Sequence, residues 1–160
     1  MNFQHTIGMR LRSAYLTLHR CLNMHLGAAG LTADQFVVLS LLAREDGLTQ
    51  GDIARRCASD PSTVGALLRL LEKQALISRE RHAQDGRARV IRMTVRGRRV
   101  QQQAWVVSRD FQRALGNTLR TAQEQEVVLA ALDRVRDTMT GQMASLSDAA
   151  ASGARKAGVS

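Results

Sequence analysis

The sequence predicts a mainly α-helical fold with one small β-hairpin, and three observations carry that expectation. Apolar residues make up 44% of the 160 positions, enough for a packed core. Yet aromatics are only 3%, and the apolar content is mostly Leu, Val and Ala, which favours helix packing over a β-sandwich. Helical spacing of apolar residues runs through most of the chain, with a single proline to interrupt it.

The elements follow in order. Phe3, Ile7, Leu11, Ala14, Tyr15, Leu18 and Leu22 repeat at helical spacing, with Arg10, Arg12 and Arg20 off the stripe. Gly27 and Gly30 are stop signals. Thr32 is the N-cap of a second helix carrying Phe36, Leu39, Leu42 and Ala43, which Gly47 ends. Thr49 caps a short third helix through Ile53, Ala54 and Cys57, with Asp52 in its first turn. Asp60-Pro61 starts the fourth, because Asp caps free N–H groups and Pro suits the first helical position. Val64, Leu67, Leu68 and Leu71 continue that helix to about Gln74.

Two strand-like runs come next, Leu76 to Arg81 and Ala88 to Met93, around Asp85-Gly86. A long helix is predicted after Gly97, with Val100, Ala104, Val107, Phe111, Leu115 and Leu119. Thr121 caps the last helix, with Glu124 in a capping box and Val128, Leu132, Val135 and Met139 on its stripe. From Ser147 the chain is Ala, Gly and Ser with few anchors, and reads as a frayed tail. The central order is that of a winged helix-turn-helix, with helices on both sides.

The charge points to a polyanion. There are 23 Lys and Arg against 14 Asp and Glu, a net +9, and nucleic acid is the first expectation for such a basic domain. In the unit from Gln50 to Leu67, Ile53, Cys57, Val64 and Leu67 form the seam of two short helices. Ala54 is small where they approach. The second helix of such a unit lies in the major groove. Its outward residues are read as Ser62, Thr63, Gly65, Ala66, Arg69 and Lys73. Ser and Thr bond phosphates or base edges, Arg reads guanine bidentately, and Gly and Ala allow close approach. Arg79, Arg81, Arg87, Arg89 and Arg92 cluster in the hairpin, where Asp85 is placed to hold Arg87. Like charges on so small a sheet call for a polyanion, and a hairpin-tip Arg fits a narrow minor groove. Arg96, Arg98 and Arg99 fit either flanking phosphates or a solvated basic turn.

Residues from Leu31 to Gly97 resemble the MarR family of bacterial regulators. The matching pieces are Leu31-Thr32 with Gln35, Ile53-Ala54, Asp60-x-Ser62-Thr63-Val64, Leu71-Glu72, Leu76-Ile77-x-Arg79, Asp85-x-Arg87 and Met93-Thr94-x-x-Gly97. The resemblance implies a homodimer, with the N-terminal helix and the last two helices of each chain interlocked and two winged domains on a pseudo-palindromic operator. It also implies release of double-stranded DNA by a small ligand, aromatic or anionic, between the dimer helices and the DNA domain. Expected segments are 1–30 for an N-terminal dimerisation helix, 31–97 for the DNA-binding domain, 98–146 for C-terminal dimerisation helices and 147–160 for the tail. The sequence departs from the family pattern at Gly65, Ala66, Arg69 and Ala75, which leaves the operator sequence open.

Tyr15, His19, Arg20 and Trp105 are the candidate ligand contacts. Cys21, beside His19 and Arg20, offers an alternative redox-sensing role, while Cys57 reads as structural. No metal, cofactor or catalytic motif is expected, nor an RNA reader, which would supply stacking aromatics. With no signal-peptide pattern and no apolar run of membrane length, the cytoplasm is the expected location. Repression is the favoured action. If the hairpin tip touches DNA as expected, Arg87→Ala lowers operator affinity at least about tenfold in a gel-shift titration at fixed salt.

Overall fold

The computed structural model describes residues 6–81 and 89–157. The hairpin tip with Asp85, Gly86 and Arg87, and Phe3 at the start, lie outside them. The elements are α1 (Ile7–Leu26), α2 (Ala33–Arg44), β1 (Leu48–Thr49), α3 (Gln50–Arg56), α4 (Pro61–Lys73), β2 (Ile77–Arg81), β3 (Arg89–Met93), α5 (Val95–Gly116) and α6 (Ala122–Ala157). A 3-10 turn, Gly27–Ala29, links α1 to α2. The chain divides into two compact units, Met1–Arg113 and Ala114–Ser160. The mainly helical fold with a small antiparallel wing is the one the sequence predicts.

Side-chain caps start the helices, as their first N–H groups have no intrahelical acceptor. Thr6 Oγ1 accepts from Met9 N at the start of α1. Thr32 and Gln35 form a reciprocal capping box on α2, and Thr49 and Asp52 form one on α3. Asp60 Oδ1 accepts from Ser62 N at 3.0 Å and Thr63 N at 2.9 Å. Pro61, with no N–H to satisfy, follows it. The Ser62 hydroxyl also donates to Asp60, and these bonds from Ser62 and Thr63 hold the Asp60 carboxyl well below the usual carboxylate range.

In the first unit, Leu26, Leu39, Leu42, Ile53, Leu68, Leu71 and Ile91 are fully buried in one core. It joins α1, α2, α3, α4 and the sheet. The sheet order is β1-β3-β2, all antiparallel. Sequence reasoning missed β1, because two residues are too few to show alternation. Leu48 pairs with Ile91, and Gly47 N donates to the Ile91 carbonyl at 3.0 Å. At Gly47 the backbone turns left-handed, φ +80°, a conformation Gly adopts without steric cost.

In the second unit, α6 is capped by Thr121 Oγ1, which accepts from Glu124 N at 3.1 Å. Glu124 reaches back to Arg120 N at 2.8 Å, one residue earlier than in a standard capping box. Val128, Leu132, Val135 and Met139 make an apolar stripe at helical spacing and are exposed in the single chain. The helix continues past Ser147 to Ala157, which corrects the expected frayed backbone there.

The start of α5 also differs from expectation. The helix is expected after Gly97, yet α5 begins at Val95 and Gly97 lies in its first turn. The Thr94 hydroxyl donates to the Ala75 carbonyl at 2.7 Å and accepts from Gly97 N at 2.9 Å. A Cβ on Gly97 would stand 2.0 Å from the Leu76 carbonyl oxygen. Gly is thus the residue that lets α5 sit on the α4–β2 corner. Asp46 clamps the other side, with Oδ1 accepting from Met93 N and Oδ2 from Arg98 Nη2, each at 2.9 Å.

Gly97→Ala should destabilise the protein by about 3 kcal/mol or more, read by thermal melting. A loss below about 1 kcal/mol would mean this close approach is not made. Asp60 has a lowered pKa, so its capping stabilises at pH above the ordinary 3.8 and fades as pH falls through the lower folded value. The melting gap between wild type and Asp60→Ala should therefore be widest near neutrality and shrink well below pH 3.8; a gap independent of pH would remove the charged-cap account.

Candidate nucleic-acid interface

α4 presents three different faces. Val64, Leu68 and Leu71 enter the core. Ser62, Ala66, Arg69 and Lys73 are exposed at i, i+4, i+7 and i+11, one row along the helix. Thr63, Leu67 and Leu70 lie on the third flank and line a cleft described below. Thr63 therefore sits beside the exposed row rather than within it.

Gly65 is a correction. Sequence reasoning placed it on the outward face, but it is buried. A Cβ there would stand 3.0 Å from Gln50 Nε2. Gln50 Nε2 donates to the Pro61 carbonyl at 2.9 Å, so this side chain ties the start of α3 to the start of α4. Gly65 leaves room for it. Of the seam expected from Ile53, Cys57, Val64 and Leu67, Ile53 and Val64 are buried, with Ala54 beside them, while Cys57 and Leu67 are half-buried at its edge; this packing fixes the angle at which the exposed row is offered.

The wing places its arginines unequally. Strand parity puts Arg79, Arg81 and Arg89 on the same face as buried Ile77, Ile91 and Met93, and Arg92 on the other. Arg79 Nε donates to Glu72 of α4 at 3.0 Å, which pins the wing to α4. Arg92 Nε donates to Glu80 at 2.9 Å. The idea that the whole cluster needs an outside polyanion is thereby corrected, since Glu72, Glu80 and Asp46 neutralise Arg79, Arg92 and Arg98. Arg81 and Arg89 remain. They are directly paired across the strands, both exposed, and neither makes an ion pair with a described residue. That like-charge pair is unfavourable in the free protein.

The candidate ligand contacts separate. Tyr15 and His19 line a cleft of about 570 Å³ between α1, α2, the α3–α4 turn and α4. Trp105 lines a different hollow of about 830 Å³ between α2 and α5, near Phe36 at 6.2 Å between ring centroids. Arg20 lines neither, and its Nε donates to the Leu16 carbonyl. Grouping these four in one site is corrected by helix geometry: residues 19 and 20 lie about 100° apart around α1, and Trp105 faces another side of α2.

Asp34 was missed by sequence reasoning. His19 Nε2 lies 3.3 Å from both Asp34 carboxylate oxygens. Asn23 Nδ2 donates to the His19 carbonyl at 2.9 Å and lies 3.1 Å from His19 Nδ1. Asn23 Oδ1 accepts from Ala33 N at 2.8 Å, so its amide cannot turn over without losing that bond. Only pairing across 15 residues reveals the arrangement.

The cysteines are not together. Cys21 is exposed on α1. Cys57 lines the cleft, half-buried, and burial followed by the nearby Asp34 charge pushes its thiol pKa up. Among the described residues no helix alone is long and apolar enough to cross a membrane.

Residues 29–88 match the MarR family. An HTH-type transcriptional repressor of Mycobacterium tuberculosis is 30% identical over 101 residues, 63% of this chain and 73% of that protein. The S. aureus MepR–DNA complex has a similar fold, with TM-score 0.77 at 26% identity over 86% of this chain and 99% of that one. The PcaV regulator from Streptomyces coelicolor, in complex with its natural ligand, has TM-score 0.71 at 27% identity over 86% and 96%. Together with the helix-turn-helix and wing, these similarities establish that the chain belongs to the MarR family of DNA-binding transcriptional regulators.

Proposed function

We propose that the protein is a homodimeric repressor that grips a pseudo-palindromic operator and lets go when a small ligand occupies the protein. The observation that carries this reading is the shared side of α4 and the wing. Glu72 on α4 holds Arg79, and the strand parity that directs Arg79 there also directs Arg81 and Arg89, which make no ion pair with a described residue. In this reading Ser62, Ala66, Arg69 and Lys73 enter the major groove, with Arg69 reading a base edge. Thr63 touches the groove edge, and Arg81, Arg89 and the wing tip with Asp85 and Arg87 meet the backbone or minor groove. Arg79 positions the wing.

Dimerisation is supported by unsatisfied apolar surface. Val128, Leu132, Val135 and Met139 on α6 and Ile7 on α1 are exposed in one chain, and long exposed apolar stripes mark interaction sites. A second copy covers them through the segments 1–30 and 98–146, leaving 31–97 to DNA. A repressor among the relatives and a ligand-bound one among the similar structures support the action and the ligand response. DNA as the target places the protein in the cytoplasm.

Fluorescence anisotropy with the gene's own upstream DNA, random duplex as competitor and a salt series tests this reading. Saturation at two chains per site with a steep salt dependence is expected. Arg69→Ala should cost about 1–3 kcal/mol on the preferred site and relax selection at one base pair. The Arg81→Ala/Arg89→Ala double variant should weaken operator and random DNA alike and flatten the salt slope by about 4, two contacts from each of two chains. Wild-type binding no tighter to any duplex recovered by selection than to random DNA would overturn the proposal.

A further inference from the structure

The cleft between α1, α2 and α4 has a charge opposite to the rest of the protein. The chain as a whole is +9, yet among the described residues no Lys or Arg lines this cleft, and Asp34 is the acidic one that does. The walls are apolar, from Leu18, Val37, Leu67 and Leu70, with Tyr15 at one side. A volume of about 570 Å³ is in the range of small-molecule sites.

His19 holds the Asp34 carboxylate in place. An amide nitrogen only donates, and the Asn23 amide is held in register by Ala33 N. His19 Nδ1, 3.1 Å from it, is therefore the acceptor, and the ring proton sits on Nε2 facing Asp34. In that arrangement the ring N–H donates to the Asp34 carboxylate and orients it. Asp34 lies in the first turn of α2. Its field is felt inside the cleft, where it adds to burial in keeping the Cys57 thiol protonated.

We propose that this cleft selects a flat apolar ligand bearing a protonated amine, with the ammonium group at Asp34 and the ring against Tyr15 and the aliphatic wall. This rests on the ligand-released repressor reading and names the chemistry of its effector. An ammonium beside the Tyr15 face gains a cation–π contact as well as the carboxylate. An aromatic carboxylate, which the family resemblance implied as one option, would instead set its charge against Asp34 with no cation on the lining to receive it. The occupant would touch Ser59 in the α3–α4 turn and Thr63, Leu67 and Leu70 on α4, and so bear on the helix that offers the exposed row to DNA.

The test is calorimetric titration of the full chain with two probes of equal shape, naphthalene-2-methylammonium and naphthalene-2-carboxylate. Salt near 0.15 M limits loose attraction of the carboxylate to the basic surface. Wild type should bind the ammonium probe at least about tenfold more tightly than the carboxylate. Asp34→Asn, checked for folding by circular dichroism, should bring the two within about threefold, and Tyr15→Ala should weaken the ammonium probe more than the carboxylate. Equal or tighter binding of the carboxylate, or an ammonium preference that survives Asp34→Asn, overturns the ligand class while leaving the repressor reading standing. Failure of both probes to bind overturns the ligand class too. If a wider amine and carboxylate panel then leaves the protein–DNA complex unchanged, the ligand-release reading falls with it.

Discussion

The contact on which the rest of the first unit depends is the seating of α5 on the α4–β2 corner. Thr94 bonds the Ala75 carbonyl, and Gly97 brings its backbone against the Leu76 carbonyl. Ala75 turns left-handed there, φ +56°, without being Gly. Such a conformation carries a steric cost for a residue with a Cβ, and the surrounding bonds hold it. The corner sets where β2 leaves α4, and β2 sets the register of β3 and hence of the wing. Asp46 completes the frame by holding both the Met93 amide and Arg98. A local requirement for one missing side chain thus propagates into the direction of the wing.

Within that frame α4 serves three neighbours. Its buried row makes the core, its exposed row faces solvent, and its third flank closes the Tyr15–His19 cleft. A helix packed this way cannot move one row without moving the others, because side chains share a rigid backbone and the core is close-packed. That is the physical basis on which a ligand in the cleft and DNA on the exposed row would compete, without any contact between them.

Charge is distributed with similar economy. The wing is not a uniform basic surface. Glu72 and Glu80 take two of its arginines and use them to hold the sheet to α4 and to itself. Arg81 and Arg89, left as a facing pair, concentrate the uncompensated charge toward the hairpin end. The cleft goes the other way, with a carboxylate and no cation. One basic protein can therefore attract phosphate at one surface and repel anions at another, since screening confines each field to about 10 Å.

The sequence by itself determined the order of the six helices and the two wing strands, the starts of the capped helices, and the family. Caps at Thr32, Thr49, Asp60 and Thr121 act through bonds only two to four residues long, so they are legible locally. The apolar periods of α2 and α4 are local too. Tertiary structure decided what depends on distant partners. It showed that Gly65 makes room for Gln50 and does not face outward, that Arg79 and Arg92 are engaged by carboxylates, and that Asp34 meets His19. It also split Tyr15 and His19 from Trp105, and recruited Leu48–Thr49 as a third strand. The physical reason is the same in each case. Residue type and spacing fix which face of an element is apolar, but only the packed chain fixes which polar group stands opposite.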